Sequence, residues 1–363
     1  IGWCDWSSDV CSSDLGLVRD KDGEKMSKSK PETAIDPLVA GQKYGFDAVR
    51  LSLLIGNTAG NDIRLYDEKI EGYRNFVNKL WNISRYILMS AEGKVELVEK
   101  VNATTLADKW ILSKFNQLVV DVTKLMDEYN FSQAGEMLRE FTWNEFADWY
   151  LEISKVEKNK EDILLYILQN LLKIWHPFVP FVTEAIWSNF SNKEIMISDW
   201  PKAQKKLIKP EAEKDFEQIR ELVTRVRNLR SEYKIDPVKK VNVAFLSSAE
   251  KKIKPSLDVI KFLARIEMVQ FVDAKPEKSV AIVVGDREMY VLLADILDFE
   301  KEKERLSKEK ENLENYIVQV EKKLSNQEFV AHAPKQIVES EQTKMAEAKL
   351  KLSKTEEQLA TLN

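Results

Sequence analysis

Two cysteines and two histidines occur among the 363 residues. Cys4 and Cys11 frame no disulfide scaffold. His176 and His332 are too few and too far apart for a zinc site, so no metal site is expected. No apolar run approaches the roughly 20 residues that cross a bilayer. No charged-then-apolar secretory leader is present, and the expected compartment is the cytoplasm. An excess of positive charge is missing as well. Lys and Arg number 55 against 60 Asp and Glu, a formal net charge of −5. Any nucleic-acid contact must therefore use local basic patches rather than a global field. A Gly-rich phosphate loop is absent too, which excludes a P-loop nucleotide site. What remains is a long chain, 32% charged and 44% hydrophobic, with enough residues for two or three domains.

The most chemically loaded stretch is Asp22-Gly23-Glu24-Lys25-Met26-Ser27-Lys28-Ser29-Lys30-Pro31. Gly23 and Pro31 keep it a loop. Lysines supply point charge to phosphate oxygens, and Ser27, Ser29 and turn N–H groups add directed donors. By composition alone a solvated basic loop is the plainer reading.

Lys25-Met26-Ser27-Lys28-Ser29 resembles the KMSKS signature of the class I aminoacyl-tRNA synthetases. Ala34-Ile35-Asp36-Pro37-Leu38 and Tyr44-Gly45-Phe46-Asp47-Ala48-Val49-Arg50 resemble the same family's continuation, although Pro31-Glu32 stands where the family often has Gly-Asn. The resemblance implies a loop that closes over ATP, with its Mg2+, as an amino acid is adenylated. It gives Lys25 and Lys28 the catalytic role of meeting the phosphates, beside Ser27 and Ser29 as ATP-binding donors. Charge would shift onto departing pyrophosphate, where preorganised donors help most.

Residues 1–15 read as a non-native leader. Ser7-Ser8-Asp9-Val10 recurs as Ser12-Ser13-Asp14-Leu15, a repeat that fits neither helix nor strand. The family's His-x-Gly-His string is not found, so the chain reads as a C-terminal portion without most of the catalytic and editing domains. Adenylation is not expected of it alone.

The expected fold is mainly α: a helical anticodon-binding bundle, a small α+β unit and a C-terminal antiparallel coiled-coil hairpin. Residues 16–58 read as the end of the catalytic domain, and 59–105 as a connecting helical segment. There Ile70, Tyr73, Val77, Leu80, Trp81 and Ile87 recur at helical spacing, with Glu71, Asn75, Asn78 and Asn82 opposite. Arg74, Asn75 and Lys79 are its candidates for tRNA backbone contact; a solvated polar face is the plainer reading.

Residues 106–240 read as the bundle. Helices are expected from Leu106, over Phe131 to Tyr150, over Ile163 to Trp175, and over Phe178 to Phe190. The Trp143, Phe146, Trp149 and Tyr150 stripe is read as core. Trp143 to Tyr150 and His176 to Glu184 resemble the bundle of the branch that handles valine, leucine and isoleucine. A cationic helix follows with Arg220, Arg225, Arg227 and Arg230. Arg227 and Arg230 are its tRNA candidates, unless Glu217, Glu221 and Glu232 neutralise the face.

Residues 241–297 read as the α+β unit. Val241, Val243 and Phe245 alternate as a strand does, Leu257 to Leu263 is expected as a helix, and Ala281 to Leu292 as a hairpin with a longer turn. Residues 298–363 read as the coiled coil: Phe299, Leu306, Leu313, Ile317, Val320 and Leu324, then Val338, Met345, Ala348, Leu352, Leu359 and Leu362, with Pro334 in the turn. Phe329-Val330-Ala331-His332-Ala333-Pro334 resembles the C-terminal arm of the valine-specific branch. That branch implies tRNA(Val), valine and ATP as partners of a monomeric ligase. The alternatives are an isoleucine or leucine enzyme, and a non-catalytic tRNA-binding or coiled-coil protein.

Overall fold

The computed structural model describes residues 17–26, 35–56, 61–91, 95–277, 279–285, 287–292, 299–325 and 335–362. It divides into two compact units, Ile1–Glu217 and Gln218–Asn363.

The first unit is helical. Strand β1 (Val18–Arg19) pairs in parallel with β2 (Ile63–Arg64). Helix α1 (Pro37–Tyr44) opens on Asp36, whose carboxylate accepts from the N–H groups of Leu38 and Val39, with Pro37 in its first turn. Gly45, at φ +94°, breaks it from α2 (Phe46–Leu54). Helix α3 (Asp67–Ser90) buries Ile70, Phe76, Leu80, Ile83 and Ile87. Its buried stripe is rotated from the expected one. Phe76 and Ile83 point inward, whereas Trp81 is 46% exposed. Glu71, Asn75, Asn78 and Asn82 are exposed as expected.

Helix α4 (Leu106–Asp127) begins in a capping box between Thr105 and Asp108. Helix α5 (Phe131–Glu140) runs into a π-helix (Phe141–Tyr150) and a closing turn α6 (Leu151–Ile153). A continuous helix was expected up to Tyr150; the wider winding lies where six of ten consecutive side chains are buried, including Phe141, Phe146, Trp149 and Tyr150. Helices α7 (Glu161–Trp175) and α8 (Pro180–Trp187) complete the bundle, α8 ending short of the expected Phe190. The core is aromatic: Phe76 lies 5.1 Å from Trp175, and Trp110 stacks at 4.3 Å on Phe216.

Phe216 belongs to α9 (Pro210–Glu232), within which the division between the units falls. In the second unit, α9 buries Ile219, Leu222, Val223 and Val226. A four-stranded sheet follows in the order β4-β3-β6-β5. Strand β3 (Val241–Leu246) pairs in parallel with β4 (Ile266–Val272), a connection that needs the crossover made by α10 (Glu250–Ile253) and α11 (Leu257–Ala264). Strands β5 (Ser279–Val284) and β6 (Arg287–Leu292) form the expected hairpin. Its turn is tighter than expected, because pairing continues to Val284 and Arg287.

Helices α12 (Phe299–Ser325) and α13 (Lys335–Leu362) pair side by side. Ion pairs join Lys310 to Glu356 at 2.8 Å and Lys349 to Glu321 at 2.8 Å. Partners fall in number along α13 as they rise along α12, so the pairing is antiparallel, as expected. Leu306, Ile317, Val320 and Ala348 are buried on the seam, and so is Thr355, which the apolar pattern does not mark. The expected turn at Pro334 lies outside the described residues.

Candidate functional site

The approach to the lysine loop is built in detail. The Asp20 carboxylate accepts from the N–H groups of Asp22 and Glu24, folding the turn in which Gly23 stands at φ +87°. A Cβ on Gly23 would lie 3.3 Å from the Arg64 guanidinium. Asp62 holds β1 from the other side, accepting from the Leu17 N–H at 2.8 Å and from the Arg19 guanidinium. These bonds, the Leu17 N–H first, hold its carboxyl below the usual carboxylate range. Lys25 then pairs through its backbone with Arg19 and is exposed. Met26 packs against a buried cluster of Ala40, Tyr44, Ala48, Val49, Leu65 and Ile70. Lys25 thus leaves a fixed turn and Met26 anchors the step after it. Ser27, Lys28 and Ser29 lie outside the described residues.

A hollow of about 470 Å³ lies among Asp20, Lys21, Asp36, Lys43, Tyr66 and Asp67. Its lysines are engaged, Lys21 with Glu68 and Lys43 with Asp67, at 2.8 and 2.9 Å. Carboxylates predominate there, so it offers a polyphosphate little.

The loop-bearing helices are tied to the bundle through α2. The Asp47 carboxylate accepts from the backbone N–H groups of Phe181 and Val182, at 3.3 and 2.7 Å, and so caps the start of α8. Arg50 donates to the carbonyls of Phe178 and Pro177, at 3.1 and 2.8 Å, just past the end of α7. Anion at a helix start and cation at a helix end both match the helix dipoles. Ile55 fits a notch left by Gly135 of α5, where a Cβ would come within 2.7 Å of it. His176 lies beside this latch, bonded through Nδ1 to the Thr183 hydroxyl at 2.8 Å. Burial lowers its pKa. It stands at the break between α7 and α8.

The candidate RNA residues fall into different situations. Arg74 and Asn75 are exposed on α3, and their side chains make no hydrogen bond or ion pair among the described residues. Lys79 is half-buried, paired with Asp148 at 3.1 Å and set 5.0 Å over the Trp143 ring. Arg227 is exposed and donates to the Leu263 carbonyl at 3.0 Å. Arg230 is not on a solvent face. It is 7% exposed and donates to the carbonyls of Arg265, Asp236, Pro237 and Lys239. Its geometry is that of a structural clamp rather than a free phosphate contact. Arg225, read as part of the same cationic face, pairs with Glu221 at 2.7 Å.

A buried charged cluster at the base of the bundle escaped the sequence reading. Lys160 and Asp108 lie 2.7 Å apart with side chains almost wholly buried. Lys160 also meets Glu157 at 2.7 Å and Thr105 at 3.2 Å, while Tyr150 donates to Asp108 at 2.8 Å. Burial alone would raise the Asp108 pKa. Bonds from Lys160, Thr105 and Tyr150 outweigh it and leave the pKa lowered. Their separation along the chain hides the pair, and only the Thr105–Asp108 capping spacing hints at it.

Three family models match in chain order. Residues 11–66 match tRNA synthetases class I (I, L, M and V), 108–245 the anticodon-binding domain of tRNA ligase, and 298–363 the valyl tRNA synthetase tRNA binding arm. Among curated proteins, the chain is 38% identical to the valine-tRNA ligase of Clostridium acetobutylicum, over 96% of this chain and 41% of that protein. It is 37% identical to that of Carboxydothermus hydrogenoformans, over 91% and 39%. It is 39% identical to that of Thermotoga maritima, over 95% and 40%. The chain thus spans about two fifths of the length of the curated relatives it matches. Those three segments stand in that order, and those relatives match along nearly the whole chain, so it is similar to the valine-tRNA ligases over the part of them that it spans.

Proposed function

We propose that this chain is the C-terminal part of a valine-tRNA ligase, supplying the loop that covers ATP and most of the grip on tRNA(Val). In the complete reaction, valine and ATP give valyl-adenylate and pyrophosphate, and the valyl group passes to the tRNA. The observation that carries the reading is the joint presence of two parts on one latched frame. The turn that leads into the lysine string is fixed as far as Met26. The helices behind it hold, through Asp47 and Arg50, the bundle whose sequence matches anticodon-binding domains. A pure RNA binder has no use for such a loop.

Lys25 and Lys28 would meet the triphosphate, with Ser27 and Ser29 donating beside them. Mg2+ would travel with the ATP, since Lys25 to Lys30 offers no carboxylate to hold it. The exposed side of α3 offers Arg74 and Asn75 to RNA, and Trp81 beside them presents an apolar ring of the kind bases stack upon. The cytoplasm is the setting this reading requires.

The test uses the intact ligase. Lys28→Ala should lower valine-dependent pyrophosphate exchange by about 100- to 1,000-fold, the loss expected when one preorganised oxyanion donor is removed. Exchange at the wild-type rate rules the role out. The isoleucine and leucine alternatives fail if valine alone supports exchange.

A further inference from the structure

Four non-glycine residues in the described structure have positive φ: Tyr129, Asn159, Lys234 and Arg265. Two of them, Lys234 at 48° and Arg265 at 54°, line the same cavity, of about 550 Å³, in the second unit. Each stands where a helix stops. Lys234 follows α9, where the Ile235 N–H returns to the Arg230 carbonyl at 2.8 Å. Arg265 is the left-handed cap of α11. Both are positions where glycine is the unstrained choice. Holding a long cation at each sacrifices stability, and the sacrifice falls twice on one hollow.

Arg227, Arg230 and Ser231 also line this cavity, and no carboxylate does. Cations near helix ends commonly just offset the dipole. Here that need is already met. Arg227 takes the Leu263 carbonyl and Arg230 takes the Arg265 carbonyl. Two helix ends amount to roughly one negative charge, against four positive ones. Lys234 and Arg265 are the surplus, and their side chains make no hydrogen bond or ion pair among the described residues. Arg230 registers the crowding: burial, and after it the Arg265 charge, lower its pKa, against a smaller opposing pull from Asp236.

We propose that this cavity seats a backbone phosphate of the bound RNA, with Lys234 and Arg265 as its charge contacts and Ser231 as a hydroxyl donor. The inference rests on the tRNA reading above and adds to it a locus where α9 and α11 end. A phosphodiester fits the donor set: point charge from Lys, a planar fork from Arg, one neutral donor.

The full chain is titrated with a tRNA(Val) transcript between about 50 and 200 mM salt. Joint replacement by Lys234→Gly and Arg265→Gly should flatten the slope of log K against log[salt] by about 1 to 2, the release expected from one or two lost phosphate contacts. The same variant should melt no lower than wild type, since glycine relieves both left-handed positions. Lys234→Gln with Arg265→Gln keeps the strained backbone, and should lose the same slope. Wild-type binding with an unchanged slope in both variants overturns the pocket alone. No wild-type binding overturns the tRNA reading, and the pocket's ligand with it. Inorganic phosphate binding that the variants abolish, with transcript binding intact, would make this a free-anion site and refute the RNA assignment.

Discussion

At the scale of single residues, the most consequential group is one that no motif announces. Lys160 has three N–H donors, and Asp108, Glu157 and Thr105 accept all of them inside the bundle. Such a pair is costly to break from one side, because the remaining charge stays buried. Lys160→Met should therefore destabilise the bundle by about 3 kcal/mol, read from the denaturant midpoint. The sign with pH follows from Asp108. Its folded pKa lies below the unfolded value of about 3.9. Its contribution is present above that value and is lost as pH falls through it toward the folded pKa. Stability measured from neutral pH down to about pH 3 should fall less steeply in Asp108→Asn than in wild type. Equal slopes would mean that Asp108 is not the group being titrated.

At the scale of elements, the sequence pattern located helices well and their faces less well. Apolar spacing predicts α3 correctly, yet Trp81 lies outward and Phe76 and Ile83 inward. An aromatic residue fits either stripe in a count of spacings, and only the packing of Phe76 on Trp175 decides. Strand β4 was not legible at all. It is an edge strand with one buried residue, Ile266, so the alternation that reveals β3 is absent. The charges of α9 were legible as a set but not by role: Arg230 and Arg225 are spoken for by carbonyls and by Glu221, facts of three-dimensional neighbourhood. The lysine loop shows the reverse case, since its meaning lies in the string and its entry turn is what the structure adds. The Gly135 notch is a further feature visible only in the fold. Gly135→Ala would gain helix propensity of about 1 kcal/mol, yet its Cβ would meet Ile55 at 2.7 Å and Phe178 at 3.2 Å. Overpacking should win and cost about 1 to 3 kcal/mol net. Ile55→Val in the same background should recover part of the loss; a stabilised single variant would show the notch to be slack.

At the scale of the whole first unit, the helices behind the lysine string are tied to α7 and α8 by two charged residues, Asp47 and Arg50. Met26 sits on the cluster that includes Ala48 and Val49 of α2, and α2 carries both latch residues toward α7 and α8. Nothing else described between these helices is charged and bonded at both a helix start and a helix end. Hydrogen bonds to charged groups contribute about 1.5–3 kcal/mol, so Arg50→Ala should loosen α1 and α2 without unfolding α4 or α7, which keep their own aromatic core. Hydrogen exchange is the direct reading: amides of 37–54 should lose protection in Arg50→Ala by a factor of about 10 to 100, equivalent to that energy. Arg50→Lys keeps the charge but not the two-pronged donor, and should fall between. Uniform loss of protection across the bundle would make Arg50 an ordinary stabilising residue. Loss confined to 37–54 would make it the joint that holds α1 and α2 to the helical bundle.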